Sequence, residues 1–181
     1  MEKGEVLQAL FYNHPSRQWH FEEIVQESKM TRPRLSYWLK QYQKKEIIQR
    51  LKPRGKMPYY IGNFESPTYK NSKKVYALQQ FNITGFLNHL EQIPNAKTII
   101  LFGSFSRSDW HSESDIDIFI YGTAEGFEQG IYERTLEREI QLFPCSTTKD
   151  ISRYSPGLLK NIVKGYLLKG NIDFLEVTPH E

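Results

Sequence analysis

The sequence predicts an α+β fold in two parts: an N-terminal group of three short helices closed by a two-stranded hairpin, and a C-terminal α/β domain with a small mixed sheet. Apolar residues recur at helical spacing in the first 45 residues, whereas after residue 96 short β-rich runs alternate with helical patterns. Charge divides the chain as well, because residues 1–65 carry a net charge of +5 and residues 66–181 a net charge of −2. A chain of 181 residues can bury the core of one domain or of two small ones.

The N-terminal helices are predicted over residues 5–13, 21–27 and 32–45. Each carries apolar residues three or four positions apart, which is typical of an amphipathic helix. Thr31 is a suitable N-cap for the third helix, and Pro33 is tolerated in its first turn. Residues 47–51 and 58–61 predict two strands, and the proline and glycine at residues 52–56 predict the turn between them.

Basic residues are concentrated at the end of this N-terminal part. Ten lysines and arginines lie between Lys29 and Lys56, against a single acid, Glu46. Such a segment suits the phosphate backbone of a nucleic acid. A solvated helix face explains the charge equally well when charge is considered alone, so the architecture has to decide between the two.

Three helices followed by a basic hairpin resemble the winged helix-turn-helix family of DNA-binding domains, and the resemblance covers residues 3–63. In that family the third helix enters the major groove and the wing contacts flanking phosphates. The resemblance implies that double-stranded DNA is bound by Arg32, Arg34, Ser36, Tyr37 and Lys40 of the helix and by Lys52, Arg54 and Lys56 of the wing. Pairing of such domains on two half-sites implies a homodimer. A purely structural or dimerising role of the domain is the alternative.

A helical connector is predicted over residues 66–95, between a first domain at 1–65 and a second at 96–181. Pro67 and Pro94 lie near its ends, and the segment 82–85, which ends in glycine, predicts a break in its helical pattern.

The second domain contains two acids at alternate positions of a predicted strand. Residues 97–102 form a short apolar run that stops at Gly103 and Ser104, and Asp115 and Asp117 begin the next such run. Alternate residues of a strand project from one face, so the two carboxylates point to one place. Adjacent carboxylates repel each other unless a cation compensates their charge. A divalent metal ion would supply that charge.

The full string GSFSRSDWHSESDID occupies residues 103–117, with ten residues between the Gly-Ser pair and the Asp-x-Asp. This spacing resembles the DNA polymerase β-like nucleotidyltransferase superfamily, and the short domain resembles its minimal nucleotidyltransferase branch. The resemblance implies a nucleoside triphosphate site formed by Gly103, Ser104, Arg107 and Ser114. It also implies that Asp115 and Asp117 are catalytic and bind two Mg²⁺ ions. Ser108 departs from the family pattern, in which glycine is commoner.

These residue types suit the implied contacts. Gly103 has no side chain, so the backbone can approach a triphosphate closely. Ser104 would begin a short helix whose free N–H groups and hydroxyl can hold phosphate oxygens. Arg107 could return from the next turn as a phosphate clamp.

The family also supplies a third carboxylate from an adjacent strand. The resemblance points to Glu139, in the β-like run 138–143, as the third catalytic and metal-binding residue. Glu137 is the less favoured alternative, because it is expected to face the other way along the strand. Gln141 stands where similar regulators have asparagine.

Two functions follow. The first is an enzyme that uses Mg²⁺ and transfers a nucleoside monophosphate, in this branch most often AMP from ATP, to an acceptor hydroxyl. The resemblance implies a protein acceptor, because minimal nucleotidyltransferases commonly act as antitoxins that modify a tyrosine of a HEPN-type toxin. The second is a DNA-binding transcriptional regulator whose nucleotidyltransferase-like domain is inactive and senses nucleotide or binds a partner.

The sequence excludes other classes. No apolar run approaches the roughly 20 residues that a bilayer requires, and no signal peptide is expected. One cysteine, Cys145, cannot form an internal disulfide, so a cytoplasmic location is expected. The chain has no Gly-x-x-x-x-Gly-Lys phosphate loop.

A last helix is predicted over residues 156–169, with Gly170 ending it.

Overall fold

The computed structural model describes residues 3–175, which divide into two compact units. The first unit comprises the described residues up to Val75 together with the short segment Asp109–Ser112. The second comprises Tyr76–Ser108 together with the described residues from Glu113 onward. The boundary between Val75 and Tyr76 lies within the segment predicted as a connector. Asp109–Ser112 lies inside the range predicted for the second domain, and no sequence pattern indicated that it groups with the first unit.

The first unit contains three helices and a two-stranded hairpin. The elements are α1 (Lys3–Asn13), α2 (Phe21–Ser28), α3 (Arg32–Lys44), β1 (Ile48–Leu51) and β2 (Tyr59–Gly62). The two strands are antiparallel, with Ile48 opposite Gly62. An isolated bridge joins Trp19 to Tyr60, so the chain between α1 and α2 extends the hairpin on one side.

The core of this unit is formed by one apolar side of each helix. Leu7 and Phe11 of α1 are buried, as are Leu35 and Leu39 of α3 and Ile24 of α2. Residues four positions apart lie on the same side of a helix, which is why the apolar spacing in the sequence predicted these faces.

The second unit is built on a four-stranded mixed sheet. Its elements, with the helix that enters it from the first unit, are α4 (Pro67–Ile83), α5 (Phe86–Gln92), β3 (Ala96–Phe102), α6 (Gly103–Arg107), β4 (Ile116–Gly122), α7 (Gln129–Leu136), β5 (Ile140–Cys145), α8 (Pro156–Val163) and β6 (Tyr166–Lys169), with 3₁₀ turns at Thr148–Arg153 and Asp173–Leu175. The strand order is β5-β4-β3-β6. The β4–β5 pair is parallel and the other two pairs are antiparallel. The predicted α+β class with a mixed sheet is confirmed.

The central strands β3 and β4 are buried along most of their length. A strand covered on both faces does not alternate apolar with polar residues, which explains the continuous runs at 99–102 and 118–120. One core cluster comprises Ile100, Phe102, Phe119, Cys145 and Ile162. Within the described residues, no helix is both long and apolar enough to cross a membrane.

The prediction of one helix over residues 156–169 is wrong. The helix α8 ends at Val163, and β6 then pairs with β3, the strand that leads to the Gly-Ser turn. Gly165 makes the reversal possible, because a Cβ there would lie 2.5 Å from a methyl carbon of Ile100 and 2.7 Å from the carbonyl oxygen of Leu101. Gly170 follows a strand instead of ending a helix.

Candidate nucleotide site and basic surface

The Gly-Ser turn and the second aspartate of the motif lie against each other. Phe102, the last residue of β3, pairs with Asp117 on β4. Gly103 follows with a φ of 68°, in the left-handed region. A Cβ at this position would lie 2.0 Å from Oδ2 of Asp117, closer than any van der Waals contact. Glycine is therefore required twice, by the backbone conformation and by the carboxylate beside it.

The helix α6 carries the residues predicted to hold phosphate. Ser104 lies half-buried in its first turn and Arg107 is exposed at its last residue. The hydroxyl of Ser106 donates to the carbonyl oxygen of Gly103 over 2.9 Å, which ties the turn together. The helix ends at Ser108, which is buried with a φ of 66° and donates its N–H to the carbonyl of Ser104. The left-handed conformation at Ser108 is one that glycine adopts more readily than a residue with a Cβ, which gives a physical reason for the glycine expected there.

The two aspartates form a site of excess negative charge. Burial raises the pKa of Asp117 above its ordinary value, and the neighbouring charge of Asp115 raises it further. The guanidinium of Arg107 opposes this shift without cancelling it. A carboxylate whose ionised form is disfavoured in this way gains from a nearby cation.

The third carboxylate predicted for the site is not gathered with the other two. Residue Glu139 precedes β5 and is exposed, and its carbonyl oxygen accepts from the N–H of Ile116 over 2.9 Å. The side chain that meets the aspartates is Gln141, which pairs with Asp117 in the parallel register and donates Nε2 to Oδ2 of Asp115 over 2.6 Å. Glu137, the alternative, is exposed at the end of α7. Within residues 3–175, no three His, Cys, Asp or Glu residues are grouped closely enough to hold a metal ion.

The pair of aspartates nevertheless fits a magnesium ion. Asp117 lies on β4 and Asp115 immediately precedes that strand; both are only partly buried and present hard oxygen donors, which Mg²⁺ prefers. Mg²⁺ is usually held by one or two carboxylates together with substrate phosphates and waters. Two acids are therefore sufficient protein ligands when a triphosphate is bound.

Sequence reasoning missed Arg138. Its guanidinium donates Nη1 to the carbonyl oxygen of Ser114 over 3.0 Å and lies 5.2 Å from the ring centroid of Phe105. Burial lowers the pKa of this guanidinium. The hydrogen bond holds the backbone immediately before Asp115. Arg138 therefore helps to fix the position of Asp115 without being one of the two aspartates. Position 138 is next to the predicted Glu139, but no local pattern distinguishes a supporting arginine from a solvated one.

A polar concavity of about 550 Å³ adjoins Glu139. It is lined by Gly130, Glu133, Arg134, Glu137, Arg138 and Glu139. The carboxylate of Glu133 has a structural role, because it accepts hydrogen bonds from the side-chain amide of Gln129 and from the N–H of Ile140. These hydrogen bonds lower its pKa.

The predicted DNA-binding residues belong to the first unit. Seven of the eight side chains are exposed: Arg32, Arg34, Tyr37 and Lys40 on α3, and Lys52, Arg54 and Lys56 in the β1–β2 turn. Ser36 is partly buried. Arg32 already forms a two-bond ion pair with Glu22, at 2.7 and 3.2 Å. DNA binding by this surface stays a prediction.

A family model matches the part of the chain that contains the four-stranded sheet. Residues 83–172 match the family model described as polymerase beta, nucleotidyltransferase. The matched segment contains the whole four-stranded sheet and both halves of the motif. The match supports assignment of this segment to the DNA polymerase β-like nucleotidyltransferase superfamily and indicates a nucleotidyltransferase-type function. No curated protein and no solved structure matches the chain.

Proposed function

We propose that the protein is an enzyme that uses Mg²⁺ and transfers AMP from ATP to an acceptor hydroxyl. The observation that carries the proposal is the direct contact of Gly103 with Asp117, beside Asp115, in a segment that matches a nucleotidyltransferase family. A glycine turn packed against a paired-carboxylate strand places phosphate-binding backbone next to metal-binding oxygens. This is the juxtaposition that nucleotidyl transfer requires.

The residues of the site have separable roles. The triphosphate is held by the backbone of the Gly103 turn, the hydroxyl of Ser104 and the guanidinium of Arg107. Asp115 and Asp117 would hold Mg²⁺, which would supply Lewis-acid polarisation of the phosphoryl oxygens. Gln141 and Arg138 orient Asp115 and the backbone before it.

The proposed reaction is an in-line displacement at the α-phosphorus. The acceptor oxygen forms a bond to the α-phosphorus, the bond from phosphorus to the bridging α–β oxygen breaks, and pyrophosphate leaves with the electron pair. The proton of the acceptor hydroxyl passes to a carboxylate, and the exposed Glu139 is the group we assign to that step.

We propose a protein hydroxyl as acceptor. The resemblance to the minimal nucleotidyltransferase branch supports a tyrosine of a HEPN-type toxin. The open concavity lined by Glu139 offers room for such a side chain beside the carboxylate that we assign to proton transfer.

The first unit is proposed to bind double-stranded DNA as a winged helix-turn-helix domain. Three helices, a hairpin and the bridge from Trp19 to Tyr60 give the element order of that family. The exposed cations of α3 and of the β1–β2 turn support contact with phosphates. Pairing on two half-sites would make the working form a homodimer.

Label transfer tests the enzyme. Purified protein is incubated with Mg²⁺, ATP labelled at the α-phosphate and candidate acceptors, and compared with Asp115→Asn and Asp117→Asn. We expect transfer by the wild type and a loss of at least about 100-fold in each variant. Asp173→Asn, which removes an exposed carboxylate elsewhere in the same unit, should transfer normally.

Binding without transfer would instead favour the alternative regulator. In that case the wild type binds the magnesium–ATP complex, yet no acceptor is labelled and the aspartate variants change DNA binding only. Equal labelling by wild type and both aspartate variants would reject the proposed site.

A further inference from the structure

The chain segment between the two halves of the motif belongs to the first unit. Asp109–Ser112 groups with that unit, although Ser108 before it caps α6 and Asp115 after it precedes β4. Trp110 is only 2% exposed. The N–H of Ser112 donates to the carbonyl oxygen of Asn13, at the end of α1, over 2.8 Å. The buried Trp110 and the bond from Ser112 therefore anchor the segment within the first unit, although Asp109, His111 and Ser112 are exposed.

Lys73 of α4 fastens this anchor. Its side chain is 1% exposed, and its ammonium group donates to the carbonyl oxygen of Trp110. The same nitrogen lies 4.3 Å from the centroid of the Trp110 ring and 5.7 Å from that of Tyr69. Lysine is almost never fully buried, because its charge must be met by acceptors or aromatic faces. A surface lysine would be the ordinary choice on a helix, so burial at this position points to a requirement for the contact.

We propose that Lys73 and Trp110 are positioning residues that couple nucleotide binding to the state of the first unit. The inference rests on the proposed function, since it requires that the motif halves bind a nucleotide. The coupling runs along the covalent chain, because the anchored segment ends at Ser112 and Asp115 follows three residues later. A ligand that shifts the anchor also shifts the chain segments that flank it, which lead from the end of α6 and into Asp115. Linkage then requires double-stranded DNA and nucleotide to change each other's affinity by one factor.

The test uses the full chain and a nucleotide that cannot react. Equilibrium binding of the magnesium complex of α,β-methylene-ATP is measured for the wild type, Lys73→Met and Lys70→Met. Methionine keeps the length of the side chain and removes the ammonium group. Lys70→Met is the matched control, because Lys70 is exposed on the same helix. We expect Lys73→Met to bind about tenfold more weakly and Lys70→Met to bind as the wild type does.

A second readout separates positioning from mere structural support. Affinity for a DNA duplex is measured with and without the nucleotide. In the wild type the nucleotide should change DNA affinity severalfold, whereas Lys73→Met should keep its DNA affinity in the absence of nucleotide and lose that change. If Lys73→Met fails to fold, Trp110→Phe replaces it, because it keeps an aromatic face and shortens the anchor.

The outcomes distinguish the two proposals. Nucleotide binding by the wild type with unchanged affinity in Lys73→Met and Trp110→Phe would overturn the positioning role and leave the enzyme proposal intact. If nucleotide does not change the DNA affinity of the wild type, the positioning role is likewise overturned and the enzyme proposal stays intact. No nucleotide binding by the wild type would overturn the proposed function and this inference together.

Discussion

The basic surface of the first unit and the aspartate pair of the second place their charges in different environments. In the first unit, the cations of α3 and of the β1–β2 turn are exposed and hydrated. In the second, Asp117 is partly buried against Gly103 and repelled by Asp115. A hydrated surface charge has little effect on folding, whereas a desolvated and unpaired charge opposes it. Function and stability are therefore expected to be independent at the basic surface and opposed at the aspartate pair.

The largest effect is expected at Gly103. Gly103→Ala should lower the free energy of unfolding by about 3 kcal/mol, because the new methyl group both overlaps the Asp117 carboxylate and forces a residue with a Cβ into the left-handed region. Urea unfolding measures the change. Transfer activity should be lost in the same variant, since the carboxylate must move away.

Gly126→Ala is the matched control. Gly126 also has a positive φ, of 88°, but a Cβ there meets nothing within 4 Å. Its substitution should cost only about 1 kcal/mol, from the backbone term alone. Combining Gly103→Ala with Asp117→Ala should recover part of the lost stability. Equal losses at the two glycines would show that the carboxylate contact has no energetic effect.

This contact shows what the sequence could predict. Gly103 and Asp117 are separated along the chain, yet the family spacing and the strand pattern were enough to place them together. The pairing of Gln141 with Asp115 was not predictable, because it depends on the parallel register of β4 and β5. The anchoring of Trp110 by Lys73 depends on packing between distant segments and left no local pattern.

A smaller effect is expected on the basic surface, in binding alone. Replacement of Lys52, Arg54 and Lys56 by alanine should weaken duplex DNA binding by about 10- to 100-fold and reduce the salt slope by up to about 3. The melting temperature should stay unchanged, because the three side chains are exposed. Gel shifts at several salt concentrations measure the DNA affinity and its salt slope.

The control removes the same charge from the other unit. Lys149, Lys160 and Lys164 are exposed there, and their replacement by alanine should leave the salt slope as it is in the wild type. If both triple variants lose DNA affinity equally, net charge and not the proposed surface determines binding.

The opposition of function and stability in the second unit predicts that Asp117→Asn is stabilising. In metal-free protein this variant should raise the melting temperature by a few degrees at pH 8, because it removes a charge that burial and Asp115 disfavour. A raised folded-state pKa means that protonation stabilises the fold. The advantage of the variant should therefore shrink as the pH falls through the raised pKa of Asp117 and be gone below the ordinary pKa of aspartate.

Asp150 supplies a control of opposite sign. It accepts hydrogen bonds from the N–H and the hydroxyl of Thr147, which lower its pKa. Asp150→Asn should lower the melting temperature at pH 8, and the loss should disappear in acid as the wild-type carboxylate is protonated. Thermal melts of both variants from pH 3 to pH 8 measure these changes. A lower melting temperature for Asp117→Asn than for Asp150→Asn at pH 8 would contradict the prediction.

The chain beyond β5 shows where sequence reasoning fails. Residues 158–168 are apolar enough to be read as one helix, and the predicted helix ran through Gly165 into what is strand β6. The decisive contact is the approach of Gly165 to Ile100 and Leu101, which only the folded sheet creates. Apolar periodicity alone cannot separate a short buried helix from an adjoining strand.

The smallest effect on stability is expected at Ser108, where the sequence pattern led us to expect glycine. Ser108→Gly should raise the free energy of unfolding by up to about 1 kcal/mol, because it relieves a left-handed backbone at the end of α6. Ser108→Ala keeps the Cβ and should bring no such gain. Ser108 is buried. Lower stability of the glycine variant would therefore mean that the packing of the serine side chain outweighs the backbone strain. The serine would then stabilise the site in the way that Arg138 does.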